Sequence, residues 1–87
     1  MNYLFTYKIL DYTDEDVEVL FKKFIPHLIK NANIQKTTLD SVRSVRVNLQ
    51  GANLVLDLDV VSNSKQGDLN KAIHGGLGNT FGKGRVV

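Results

Sequence analysis

A chain of 87 residues with no cysteine excludes a disulfide scaffold and any thiolate zinc site, and one small domain is the only sensible count. A hydrophobic fraction of 43% and a net charge of only +2 exclude a disordered composition. No stretch approaches the roughly 20 apolar residues of a membrane helix, and the first residues show no basic region before an apolar run, so the expected location is cytoplasmic, away from membranes.

Residues 2–10, NYLFTYKIL, place Tyr3, Phe5, Tyr7 and Ile9 on one side and Leu4, Thr6, Lys8 and Leu10 on the other. That alternation predicts a strand, and apolar residues on both sides suggest a central one. A helix over about 14–31 follows. Thr13 suits its N-cap, and Asp14, Glu15 and Asp16 suit the positive end of its dipole. Val17, Leu20, Phe21, Phe24, Ile25, Leu28 and Ile29 recur at the spacing of one buried face. Pro26 interrupts the hydrogen-bond ladder but not the apolar period, so one kinked helix is expected, with Asn31 and Asn33 as stop signals. The acid cluster does not follow the calcium-loop pattern, which needs a glycine and a terminal glutamate, and no metal is expected there.

Residues 41–62, SVRSVRVNLQGANLVLDLDVVS, form the strongest local signal. A two-residue loop at Gln50-Gly51 pairs Leu49 with Ala52 and Val47 with Leu54. Val45, Val47, Leu49, Leu54, Leu56 and Leu58 then share one face, with Ser44 facing Asp57 and Arg46 diagonal to it, within reach of a cross-strand ion pair. After a polar connector, Leu69, Ala72 and Ile73 predict a short helix from about Asp68 to a C-cap at Gly75-Gly76. Residues 1–76 thus read as the α+β domain and 77–87 as a Gly-rich basic tail, whose last residues allow a short edge strand. The order β-α-β-β-α, with a final β from the tail, is that of a ferredoxin-like sandwich: an antiparallel sheet with a long kinked helix packed on one face.

Chemistry is sparse. The tail fails as a nucleotide-phosphate loop, because Leu77 stands where the first glycine belongs and Gly84 where Ser or Thr should follow Lys83. Gly75-Gly76-Leu77-Gly78 matches the G-x-x-G letters of KH domains, but the element order does not fit that fold. Asp57 and Asp59 resemble a carboxylate pair only in spacing. His27 and His74 have no nucleophile or carboxylate at a recognisable spacing, so neither an enzyme nor a cofactor is expected.

Charge placement is more informative. Asp11, Asp14, Glu15, Asp16 and Glu18 crowd one segment, whereas no acid follows Asp68 and Lys71, Lys83 and Arg85 do. The favoured reading is a small accessory protein, of the kind carried by viruses or mobile elements, that binds nucleic acid through Arg43, Arg46, Lys71, Lys83, Arg85 and Lys36. The glycine-rich tail would serve as a cationic arm, so alanine at Lys83 and Arg85 should weaken binding without unfolding the domain. Tyr3, Phe5 and Tyr7 would form a stacking or partner surface if they lie outside the helix layer. The RNA-recognition motif shares the βαββαβ order, but its third strand carries aromatics and LVLDLDVV has none. The alternative is a homo-oligomeric interaction module, a homodimer for example, or a regulator docking on a larger protein.

Overall fold

The computed structural model describes residues 1–34 and 41–87. The fold is α+β: an antiparallel sheet with helices on one face. Its elements are β1 (Asn2–Ile9), α1 (Asp14–Val19), a π-helical turn (Leu20–Phe24), α2 (Ile25–Ile34), β2 (Ser41–Gln50), β3 (Asn53–Val61), α3 (Gln66–Phe81) and a 3-10 turn (Lys83–Arg85). The three strands lie in the order β1-β3-β2, so β3 rather than β1 is central.

Alternation in β1 buries Phe5, Tyr7 and Ile9 and leaves Leu4 73% exposed on the far face. Across from them, Leu54, Leu56, Leu58 and Val60 of β3 are buried. Leu20, Leu69, Ile73, Leu77 and Phe81 from the helices, with Val86, close the same core.

Thr13 caps α1 as expected, and reciprocally. Its hydroxyl accepts the Asp16 N–H at 3.2 Å, while its own N–H donates to Asp16 Oδ2 at 2.9 Å. The helix then runs through Pro26 and reaches Ile34, beyond Asn31 and Asn33. The means of passage is the π turn, in which the Ile25 N–H reaches Leu20 O. In an unbroken α-helix the Pro26 ring would collide with the carbonyl four residues back, and the widened turn stands directly before it. The turn also shifts the phase of the helix. Leu20 is fully buried, but Phe21 is 52% and Ile29 39% exposed, against the single buried face that the periodicity predicts.

The hairpin forms two residues out of the expected register. Leu49 pairs with Leu54 and Val47 with Leu56, so Gly51-Ala52 is the loop rather than Gln50-Gly51. Gly51 has φ +60°, at the first central position, where a type II′ turn wants glycine. A slip of two leaves every side chain on its expected face. Between Val42 and Ser44 the register shifts at a bulge containing Arg43, which keeps Val42 and Val45 opposite Val60 and Leu58.

α3 is longer than its sequence suggests. It does not stop at Gly75-Gly76 but continues to Phe81. Each glycine costs a helix about 1 kcal/mol relative to alanine. Burying Leu77 and Phe81 recovers about 1.5–3 kcal/mol apiece, which outweighs that cost. The helix ends at Gly82, whose φ of +106° lies in the region that glycine alone enters without strain.

Of the two readings of the tail, a cationic arm or a short edge strand, its last residues take the edge position. Residues 83–85 form a 3-10 turn, and Val86 bridges Ile9 on the outer edge of β1. Lys8 N–H donates to Val87 O and Val87 N–H to Lys8 O, each at 2.9 Å, and Leu10 N–H donates to Arg85 O at 2.7 Å. Among the described residues, no helix is long and apolar enough to cross a membrane.

Candidate nucleic-acid interface

The outer side of α3 carries a groove of about 670 Å³. Asn70, Lys71, His74, Gly75, Gly78 and Asn79 line it at helical spacing, and the turn after Gly82 adds Lys83. Two of the cations singled out in the sequence, Lys71 and Lys83, thus meet on one concave surface, and no carboxylate lines it.

Gly75 is open to this groove. A Cβ built there meets nothing within 4 Å. Packing therefore does not require glycine at this position, although the helix loses stability by having it. Gly75→Ala should stabilise the protein by about 0.5–1 kcal/mol in urea unfolding. A loss of stability would show that the site is less open than its geometry indicates. Gly78 is more constrained, because a Cβ there would stand 3.4 Å from the Lys83 side chain.

The groove is set from beneath by β1. The buried Tyr7 hydroxyl donates to Asn70 Oδ1 at 2.9 Å, which leaves the Asn70 amide nitrogen for the groove. The Tyr7 ring lies 6.1 Å from the His74 imidazole, tilted by 54°. Burial pushes the Tyr7 phenol up to about 12, so this contact is a neutral hydroxyl's at any physiological pH.

This placement corrects the stacking platform. Phe5 and Tyr7 are buried under the helix layer and Tyr3 is packed against the core, with its hydroxyl donating to Ser64 O at 3.1 Å. The cause is the shared face of the three strands: the side carrying Tyr3, Phe5 and Tyr7 is also the side of Leu54, Leu56 and Leu58.

Arg43, Arg46 and Arg85 do not join Lys71 and Lys83. Arg46 is exposed on the sheet face away from the helices, and Arg43 is exposed at the bulge. Lys36 lies outside the described residues. Arg85 belongs to the fold. Its Nη2 stands 2.6 Å from Asp16 Oδ2 and donates to the carbonyls of Leu10 at 3.0 Å and Asp11 at 2.9 Å, while Nη1 donates to Phe81 O at 3.2 Å. A guanidinium so occupied has little left for a phosphate, and alanine at Arg85 would remove contacts of the fold as well as a charge.

The sequence reading also passed over Asn70, Gly75, Gly78 and Asn79 as groove residues. Ending the helix at residue 76 hid their common face. The continuing apolar spacing of Leu69, Ile73, Leu77 and Phe81 was the signal that would have revealed it. No protein-family model, curated protein or solved structure matches this chain.

Proposed function

We propose that this protein is a small accessory protein that binds nucleic acid by its phosphate backbone in the α3 groove. The observation that carries this reading is the meeting of Lys71 and Lys83 across a carboxylate-free groove with a glycine floor. The two ammonium groups would each neutralise a phosphate, with the Asn70 and Asn79 amides and the His74 ring as further donors. Gly75, without a side chain, lets the strand approach the helix closely. The topology is compatible with the ferredoxin-like order, Val86 on the edge of β1 standing for the last strand.

Two phosphate contacts make binding modest and salt-sensitive. Each neutralised phosphate adds about 0.7 to the salt slope on single strands and about 0.9 on duplex. Fluorescence anisotropy with labelled single-stranded DNA, duplex DNA and RNA tests this. Lys71→Ala/Lys83→Ala should flatten the slope by about 1.4–1.8. Arg43→Ala/Arg46→Ala, away from the groove, should leave it unchanged. Absence of binding even at low salt, or an unchanged slope in the lysine variant, would remove this reading.

A second reading rests on β2. It is ten residues long and stands at the edge of the three-stranded sheet. An edge of this length supports pairing with another copy or another protein. Light scattering decides the first case: a dimeric mass supports it and a monomeric mass opposes it.

A further inference from the structure

The two edges of the sheet differ. On β1 the outer edge is taken by Val86 and Val87. On β2, among the described residues, no strand and no backbone hydrogen bond reaches the outer side. With Gly51-Ala52 as the loop, Gln50 and Asn53 exchange both of their hydrogen bonds, and the pairs alternate from there. Asn48, Arg46 and Ser44 therefore also bond to β3, while Leu49, Val47 and Val45 turn their N–H and C=O groups outward. The side chains of these three lie on the helix side of the sheet, where Leu49 is 58% exposed. Residues 44–50 contain no proline and no lysine, which commonly blunt an open edge, and Arg46 is their one charge.

This open stretch is symmetric about Val47. The bulge at Arg43 bounds it on one side and the turn at Gly51 on the other, and Val47 is the middle residue of the regular strand Ser44–Gln50. A second copy turned about a two-fold axis at Val47 sets Val47 against its own counterpart and Val45 against the partner's Leu49. The outward backbone groups then meet in bonded pairs, and each exposed leucine gains an apolar neighbour. On the other side of the sheet Arg46 meets the partner's Asn48, so no like charges stand directly opposite each other. Neighbouring registers fit less well. Centring on Arg46 opposes two guanidinium groups, and centring on Asn48 sets Val45 against the turn glycine. Within its own chain Arg46 stands directly opposite Asp57 rather than diagonal to it. The expected ion pair is nevertheless not made: among the described residues the ion pairs are Lys22–Glu18 and Arg85–Asp16, and Asp57 Oδ1 accepts from the Thr6 hydroxyl at 2.7 Å.

We infer that β2 pairs antiparallel with β2 of a second copy of this chain, about a two-fold axis at Val47, so that the two sheets join into one. The inference rests on the reading of β2 as an interaction edge, and it names the partner and the register. Such an interface is self-complementary, as a two-fold axis requires. α3 packs against β1, at the opposite edge of the sheet, so both α3 grooves stay open and nucleic-acid binding stands or falls separately.

Light scattering over a dilution series of the wild type, Asn48→Glu and Asn48→Lys tests the inference. Asn48 is exposed, so neither substitution should disturb the protomer. The wild type should be dimeric at about 100 μM. Asn48→Glu sets an acid opposite the partner's Arg46 at both symmetric positions and should tighten the dimer about threefold or more. Asn48→Lys sets a cation there and should loosen it by a similar factor. A monomeric wild type at that concentration overturns the pairing of two copies at this edge. A dimer that both substitutions weaken is centred on Asn48, and a dimer that neither alters lies on another surface. Either of these overturns the register at Val47 while leaving a dimer in hand.

Discussion

Replacing Arg85 with alanine should lower the thermal midpoint by several degrees and release the C-terminal residues from β1. The side chain holds three parts of the chain at once. It pairs with Asp16, the N3 residue of the α1 capping box, and it donates to the carbonyls of Leu10 and Asp11, where the chain turns out of β1. It also donates to Phe81 O near the end of α3. Asp11 takes φ +51° at this turn, a left-handed conformation that aspartate tolerates better than most residues. Alanine leaves those carbonyls to water and Asp16 without its cation. Amide exchange would show the local part of the effect, since the Lys8, Leu10 and Val87 N–H groups bond between the C-terminus and β1. Arg85→Lys should recover only part of the loss, because an ammonium cannot reproduce the fork.

The same pair sets the acid limb of stability. The hydrogen bond from Arg85 holds the Asp16 carboxyl below the usual carboxylate range, and the Thr13 N–H adds to it. A depressed folded-state pKa means that between the two values the unfolded chain binds more protons than the native one. This contribution is present above about pH 4 and is lost as pH falls through the native value. Urea midpoints from pH 6 down to 2 should therefore fall less steeply in Arg85→Ala than in the wild type. Parallel acid limbs in the two proteins would show that the pair does not couple to folding.

Leu56→Ala should cost about 2–5 kcal/mol, the range for a leucine deleted from a packed core. Leu56 has no exposed surface and lies on the central strand, between Tyr7 of β1 and Val47 of β2. A chain of this size has roughly 4–13 kcal/mol in total, so the variant approaches the limit of folding. Its thermal midpoint should drop by about 10 °C or more. The cavity would lie beside Tyr7, and with it the support of Asn70 and His74 in the α3 groove. A stable Leu56→Ala should therefore bind nucleic acid more weakly than its exposed surface alone would predict. A loss below about 1 kcal/mol would mean that the sheet collapses readily onto the vacated space.

Local rules were enough for much of the fold. The Thr13 cap, the helix continuing through Pro26, the hairpin and the buried leucines of β3 all rest on interactions within a few residues or on strict alternation, so they were legible without a structure, whereas Leu49, expected on the same face, is 58% exposed near the turn. The hairpin register was missed by two because Gln50-Gly51 and Gly51-Ala52 are both two-residue loops containing the glycine, and both preserve the faces.

Of the candidate site, Lys71 and Lys83 were named in advance, but not that they line one groove, because that depends on α3 continuing past three glycines. Helix propensity argued for a stop at residue 76. Burial of Leu77 and Phe81 in the core shared with β1, where Phe81 also meets Phe24 of the π-helical turn, decided otherwise, and that energy exists only once the layers are packed. Arg85 shows the same limit. Composition presents it as a surface cation, and only the return of the C-terminus to β1 places it beside Asp16, 69 positions away in sequence. Alternation, capping and the apolar side of each element could be read directly from the residues, since those are short-range properties. The tertiary structure decided which apolar side is covered, which cations are already occupied and which meet in a groove, since those depend on contacts between distant parts of the chain.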